Sequence, residues 1–116
     1  MAKVRAAFEA FRLDDEGTLA TMKAIHAETG KLVDPHSAIG IAAARARRKD
    51  PNVPMVCVAT AHPAKFPDAV EKATGIRPSL PSRLADIMQR PERCEEIRWN
   101  LDALKDYIRS VVKVAA

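Results

Sequence analysis

At 116 residues the chain holds enough material for one small domain. A composition of 47% hydrophobic and 29% charged residues excludes a disordered segment, and a net charge of +4 reads either as a polyanion-binding face or as a solvated surface with a modest excess of Lys and Arg. Aromatic residues are only 4%, so any core is built from Ala, Val, Ile, Leu and Met, which favours helices packed through small side chains.

In chain order, Val4, Ala7, Phe8 and Phe11 recur at helical spacing over residues 3–11. Ala10 to Leu13 reads either as the end of that helix or as a short extended piece. Asp14 is an N-cap, with Asp15 and Glu16 in the first turn of a second helix. That helix places Leu19, Met22, Ala24 and Ile25 on or near one face, His26 beside them, and stops at Gly30. After the link Lys31-Leu32-Val33, Asp34-Pro35-His36-Ser37 opens a third helix. Asp34 is its natural cap and Ser37 an alternative, while Pro35 sits where a missing N–H costs nothing. Asp34 and His36 are accordingly read as cap chemistry. Ile39 to Ala44 has almost no side-chain bulk and invites close packing against a neighbour the chain does not obviously supply. Arg45, Arg47, Arg48 and Lys49 close the helix, where positive charge complements its dipole. No aromatic residues interleave them, unlike the grooves of single-strand binders. A nucleic-acid-binding module would need these arginines to face outward together with Arg83, Arg90 or Arg93.

Met55-Val56-Cys57-Val58-Ala59 is a short apolar run bounded by Asp50, Pro51, Asn52 and Pro54 on one side and His62-Pro63 on the other. It predicts a strand buried on both faces, with Cys57 a small core residue. Thr60, His62 and Lys65 then fall just past the strand's carboxyl end, where ligands bind in open α/β sheets. Asp68 to Ala73 predicts a short helix stopped by Gly75, and residues 76–81 a loop. A helix from Pro81-Ser82 to about Gln89 would turn Leu84, Ile87 and Met88 inward until Pro91 breaks it. The last helix starts at Glu92 or Cys94, with a stripe through Ile97, Leu101, Leu104, Ile108, Val111 and Val112 flanked by Trp99 and Tyr107. The resulting fold class is an α/β fragment, mostly helical with about five helices, whose one or two short strands belong to a larger sheet. A lone buried strand cannot satisfy its own backbone. Its partner must be Ala10–Leu13, a second copy, or protein absent here. His26, His36, His62 and Cys57 match no zinc spacing, so no metal is expected. Cys57 and Cys94 do not form a CxxC pair. With no targeting sequence and no apolar span of 18 residues, the chain reads as cytoplasmic, with no membrane partner.

Two octamers carry a resemblance. Val33-Asp34-Pro35-His36-Ser37-Ala38-Ile39-Gly40 and Thr60-Ala61-His62-Pro63-Ala64-Lys65-Phe66-Pro67 resemble segments near the carboxyl end of threonine synthase. That family of fold type II pyridoxal-phosphate enzymes converts O-phosphohomoserine and water to threonine and phosphate. The likeness runs over roughly the whole chain, so residues 1–116 are expected to form one small C-terminal domain, about the last quarter of such an enzyme. The resemblance implies that the strand belongs to the sheet of a large cofactor domain and that Thr60 matches a hydroxyl near the cofactor's ring nitrogen. It leaves His62 between orienting the turn and touching substrate, and Lys65 between solvent and the substrate's phosphate ester. The enzyme also needs a Schiff-base lysine and a glycine-rich phosphate loop. The family's lysine lies far toward the amino terminus, and the four glycines here form no cluster. Pyridoxal phosphate is therefore expected in the full-length enzyme but not on this chain alone, which is expected to be inactive and to contain no catalytic residue. The expected partner is the rest of the enzyme, or a second copy covering Ile39, Gly40, Ile41 and Ala43. Nucleic acid is not expected. The alternatives are a free-standing helical oligomerisation or regulatory module, and the basic nucleic-acid-binding module.

Overall fold

The computed structural model describes residues 2–112. Five α-helices follow in order: α1 (Ala2–Ala7), α2 (Asp15–Thr29), α3 (Pro35–Arg47), α4 (Pro67–Thr74) and α5 (Leu101–Val111). Short 3-10 turns occupy Pro63–Lys65, Ser82–Leu84 and Ile87–Gln89. The chain divides into two compact units at Ser82 and Arg83.

Local chemistry sets the helix ends of the first unit. Asp14 is extended, and its carboxylate accepts the Gly17 N–H at 2.8 Å, which starts α2. Asp34 does the same for α3, with Pro35 next in line. Helices α2 and α4 end at Gly30 and Gly75, with φ of 69° and 76°, and each glycine N–H returns to a carbonyl four residues back at 2.8 Å. Space is open where a Cβ would stand at Gly30, so only the backbone conformation opposes a side chain there. Gly30→Ala should therefore cost about 1 kcal/mol of stability. An unchanged midpoint in chemical unfolding would contradict that.

Helix α2 packs against both α3 and α4. Met22, Ile25, Ala38, Val70 and Ala73 are buried between them, with Leu19, Leu32, Val33 and Ile41 packed around. Arg45 reaches back to Glu28 with two bonds of 3.2 and 2.6 Å, joining α3 to α2. Arg47 pairs with Glu9 at 3.4 Å, and Arg48 bonds the carbonyls of Asp50 and Pro51. Much of the basic run is thus engaged locally at the helix end.

The expected strand at residues 55–59 does not form, and the described residues contain no strand. The α/β class, with strands belonging to a larger sheet, is therefore replaced by a helical one. A strand requires a neighbour's row of N–H and C=O groups, and Ala10–Leu13 does not provide it. The run instead lies along α3. Cys57 Sγ is 4.0 Å from the Gly40 carbonyl, and a groove of about 320 Å³ is bounded by Ala10, Phe11, Gly40, Ala43 and residues 55–58. The run passes beside the small-residue face of α3 without covering it: Gly40 is exposed, with nothing within 4 Å of where a Cβ would stand. Cys57, expected in a core, is exposed, as are Val56 at 84% and Val58 at 74%.

Two helix boundaries also move, and one expected helix does not form. Helix α1 stops at Ala7, before Phe8, which is 73% exposed and gains nothing from continuing. Residues 82–89 form two 3-10 turns instead of a helix. So short a segment forms a stable helix only if its apolar face is buried, and Met88 is 83% exposed. In the second unit, α5 begins eight or so residues later than the apolar stripe suggests. Asn100 caps it, accepting the Ala103 N–H at 2.7 Å. A good cap there outweighs the propensity of the unpacked residues before it.

Candidate functional site

The site grows from the first turn of α3. Asp34 is fully buried, which for a carboxylate is costly unless every oxygen is bonded. Oδ1 accepts the backbone N–H groups of His36 at 2.9 Å and Ser37 at 3.4 Å, and lies 3.2 Å from His36 Nδ1. Oδ2 accepts the Ser37 hydroxyl in a short bond. Burial pushes the Asp34 carboxyl up, but the bonds from the Ser37 hydroxyl, the two backbone N–H groups and the His36 ring outweigh it. They hold the group below the ordinary carboxylate value. The cap reading of Asp34 and His36 therefore holds, with one addition. The His36 ring also packs on Phe66, centroids 4.9 Å apart.

Ser37 joins the two octamers. Its oxygen accepts the Thr60 backbone N–H at 3.3 Å, across 23 residues of sequence. A cleft of about 610 Å³ opens here between the start of α3, the turn at Ala59 to Pro63, and the loop Pro78–Pro81. Asp34, Ser37 and His62 are among its polar lining groups.

The three residues singled out in the sequence are placed differently. His62 lines the cleft, and its Nδ1 accepts the Ala64 N–H at 3.1 Å, capping the 3-10 turn. A neutral His62 ring then carries its proton on Nε2. Thr60 is exposed, between Ala59 and Ala61, which both line the cleft. Its N–H is committed to Ser37, and its hydroxyl makes no hydrogen bond among the described residues. Lys65 is exposed and does not line the cleft; its Nζ stands 6.0 Å over the Phe66 ring, at the outer reach of a cation–π contact. The structure thus brings Thr60 and His62 together on one turn and leaves Lys65 beside it. In the sequence Ser37 stands as an alternative cap, three residues after Asp34, and as a member of the first octamer, and nothing in Pro78-Ser79-Leu80-Pro81 marks a cleft wall.

The donor set fits one edge of a pyridoxal phosphate and not the others. An accessible hydroxyl on a backbone held by hydrogen bonding suits a pyridine nitrogen. Gly30 and Gly75 terminate helices, and Gly17 and Gly40 lie within them, so no glycine-rich phosphate cradle is assembled. Among the described residues no three His, Cys, Asp or Glu side chains gather as a metal ion would need. No helix among them is long and apolar enough to cross a membrane.

Residues 37–108 match the family model described as "Threonine synthase, C-terminal". A threonine synthase from Pseudomonas aeruginosa is 48% identical over 107 residues, spanning 91% of this chain and 23% of that protein. One from Corynebacterium glutamicum is 38% identical over 90 residues, 78% of this chain and 19% of that protein. The crystal structure of a pyridoxal-phosphate-bound threonine synthase from Brucella melitensis is similar with a TM-score of 0.74 at 43% identity, over 94% of this chain and 23% of that one. This chain belongs to the threonine synthase C-terminal family. It spans about a quarter of the length of the relatives it matches.

Proposed function

We propose that the chain serves as the C-terminal part of a threonine synthase, acting with the remainder of such an enzyme on O-phosphohomoserine and water to give threonine and phosphate. The observation that carries this reading is the Ser37–Thr60 hydrogen bond, which joins the two octamers of a family member at one cleft. In this reading the Thr60 hydroxyl bonds the cofactor's ring nitrogen. A neutral hydroxyl does so without imposing a full positive charge on the ring, as an aspartate would. Pyridoxal phosphate, when bound, supplies the ring that withdraws electrons from carbanionic charge. His62 offers an N–H toward substrate from a turn its own Nδ1 stabilises.

The Schiff-base lysine and the phosphate loop belong to the remainder of the enzyme in this proposal, so the chain by itself has no threonine synthase activity. Incubation of the isolated chain with pyridoxal phosphate, borohydride reduction and mass spectrometry should yield no stoichiometric adduct. A specific adduct at one lysine, with one cofactor per chain, would overturn the division of labour.

A further inference from the structure

Ser37 lies in the first turn of α3 and is 4% exposed. Its hydroxyl has one proton and two lone pairs. An ionised Asp34 can only accept, so the Ser37 proton is committed to Asp34 Oδ2. A lone pair of the Ser37 oxygen is left facing the Thr60 N–H at 3.3 Å. The polarity of the chain is therefore fixed: Thr60 donates to Ser37, and Ser37 donates to Asp34. Among the described residues, the one other polar contact between residues 54–61 and α3 is the weak one from Cys57 Sγ to the Gly40 carbonyl, at 4.0 Å. The exposed run before Thr60 has no sheet to hold it, so its end is anchored chiefly at Ser37.

We infer that Ser37, oriented by the buried Asp34, is a positioning residue that fixes the backbone of Thr60 and so aims the Thr60 hydroxyl. The aim matters only if Thr60 meets the cofactor, so this second half rests on the function proposed above. The first half does not.

The test has two arms. In this chain, amide hydrogen exchange is followed at Thr60 and at Gly30, whose N–H closes α2 far from the turn in sequence. In a chimera, the matching 107 residues of the Pseudomonas aeruginosa enzyme are replaced by this sequence, and kcat, KM and the cofactor's absorption are measured. Ser37→Ala should speed exchange at Thr60 about tenfold more than at Gly30, the order expected for one net hydrogen bond. In the chimera it should lower kcat about tenfold with KM within about twofold, and move the absorption in the same direction as Thr60→Val. Ser37→Thr, which keeps the hydroxyl, should recover most of both effects. Equal acceleration at Thr60 and Gly30, or none at Thr60, overturns the inference, because Ser37 then contributes general stability or nothing. Loosened exchange with unchanged kcat and absorption, while Thr60→Val alters both, overturns the aiming role. If Thr60→Val alters neither, the proposed cofactor contact is what fails, and the exchange at Thr60 still decides whether Ser37 holds that backbone.

Discussion

Asp34→Ala should lower the stability of the unit built on α2, α3 and α4 by about 2–4 kcal/mol. Losing an N-cap carboxylate costs about 0.5–2 kcal/mol. Here the carboxylate is also buried, and its loss strands the Ser37 hydroxyl and two backbone N–H groups, at a further cost of about 1–3 kcal/mol. The two costs overlap, which keeps the sum near the middle of their range. Denaturant unfolding at neutral pH measures it. Asp34→Asn keeps one acceptor oxygen and should lose less. The pH dependence has a definite sign. The folded-state pKa of Asp34 is depressed, so its contribution is fully present above the ordinary carboxylate value of about 3.9 and fades as pH falls through the lower folded value. The gap between the parent and Asp34→Asn should therefore narrow in acid. An equal gap at neutral and strongly acidic pH would mean that the charge of Asp34 contributes nothing.

What could be read in the sequence was what depends on neighbours along the chain. Asp14 and Asp34 as caps, Gly30 and Gly75 as helix ends, and Met22 and Ile25 facing inward follow from spacing and backbone chemistry alone. The 55–59 run failed because β-branched residues report a capacity for burial, not the presence of a partner. With none among the described residues, Val56 and Val58 stand exposed beside α3. The start of α5 failed because an apolar stripe continues through Ile97 whether or not the backbone is helical there, and the cap at Asn100 decided the matter. Of the residues singled out after the run, His62 lines the cleft and Lys65 stands beside it. The Ser37–Thr60 bond was not legible, because it joins residues 23 apart through a hydroxyl that already had a local role as a possible cap.

Thr60 carries the proposed function most directly. Thr60→Val keeps the shape of the side chain and deletes its hydroxyl. An unsatisfied buried acceptor costs about 1–3 kcal/mol, which corresponds to a loss in kcat of roughly 5- to 160-fold. The loss should fall on kcat more than on cofactor affinity, because the ring's electron demand is greatest in the transition states, while in the proposed enzyme most of the binding comes from the remainder that holds the Schiff base and phosphate loop. Thr60→Ser should lose little. The measurement is steady-state kinetics of the chimera and its Thr60→Val and Thr60→Ser variants, with the cofactor's absorption recorded for each. The account predicts a slowed Val variant with a shifted absorption beside a Ser variant close to the parent. A Val variant that turns over like the parent, with its absorption unmoved, would reduce Thr60 to a turn residue and contradict the site.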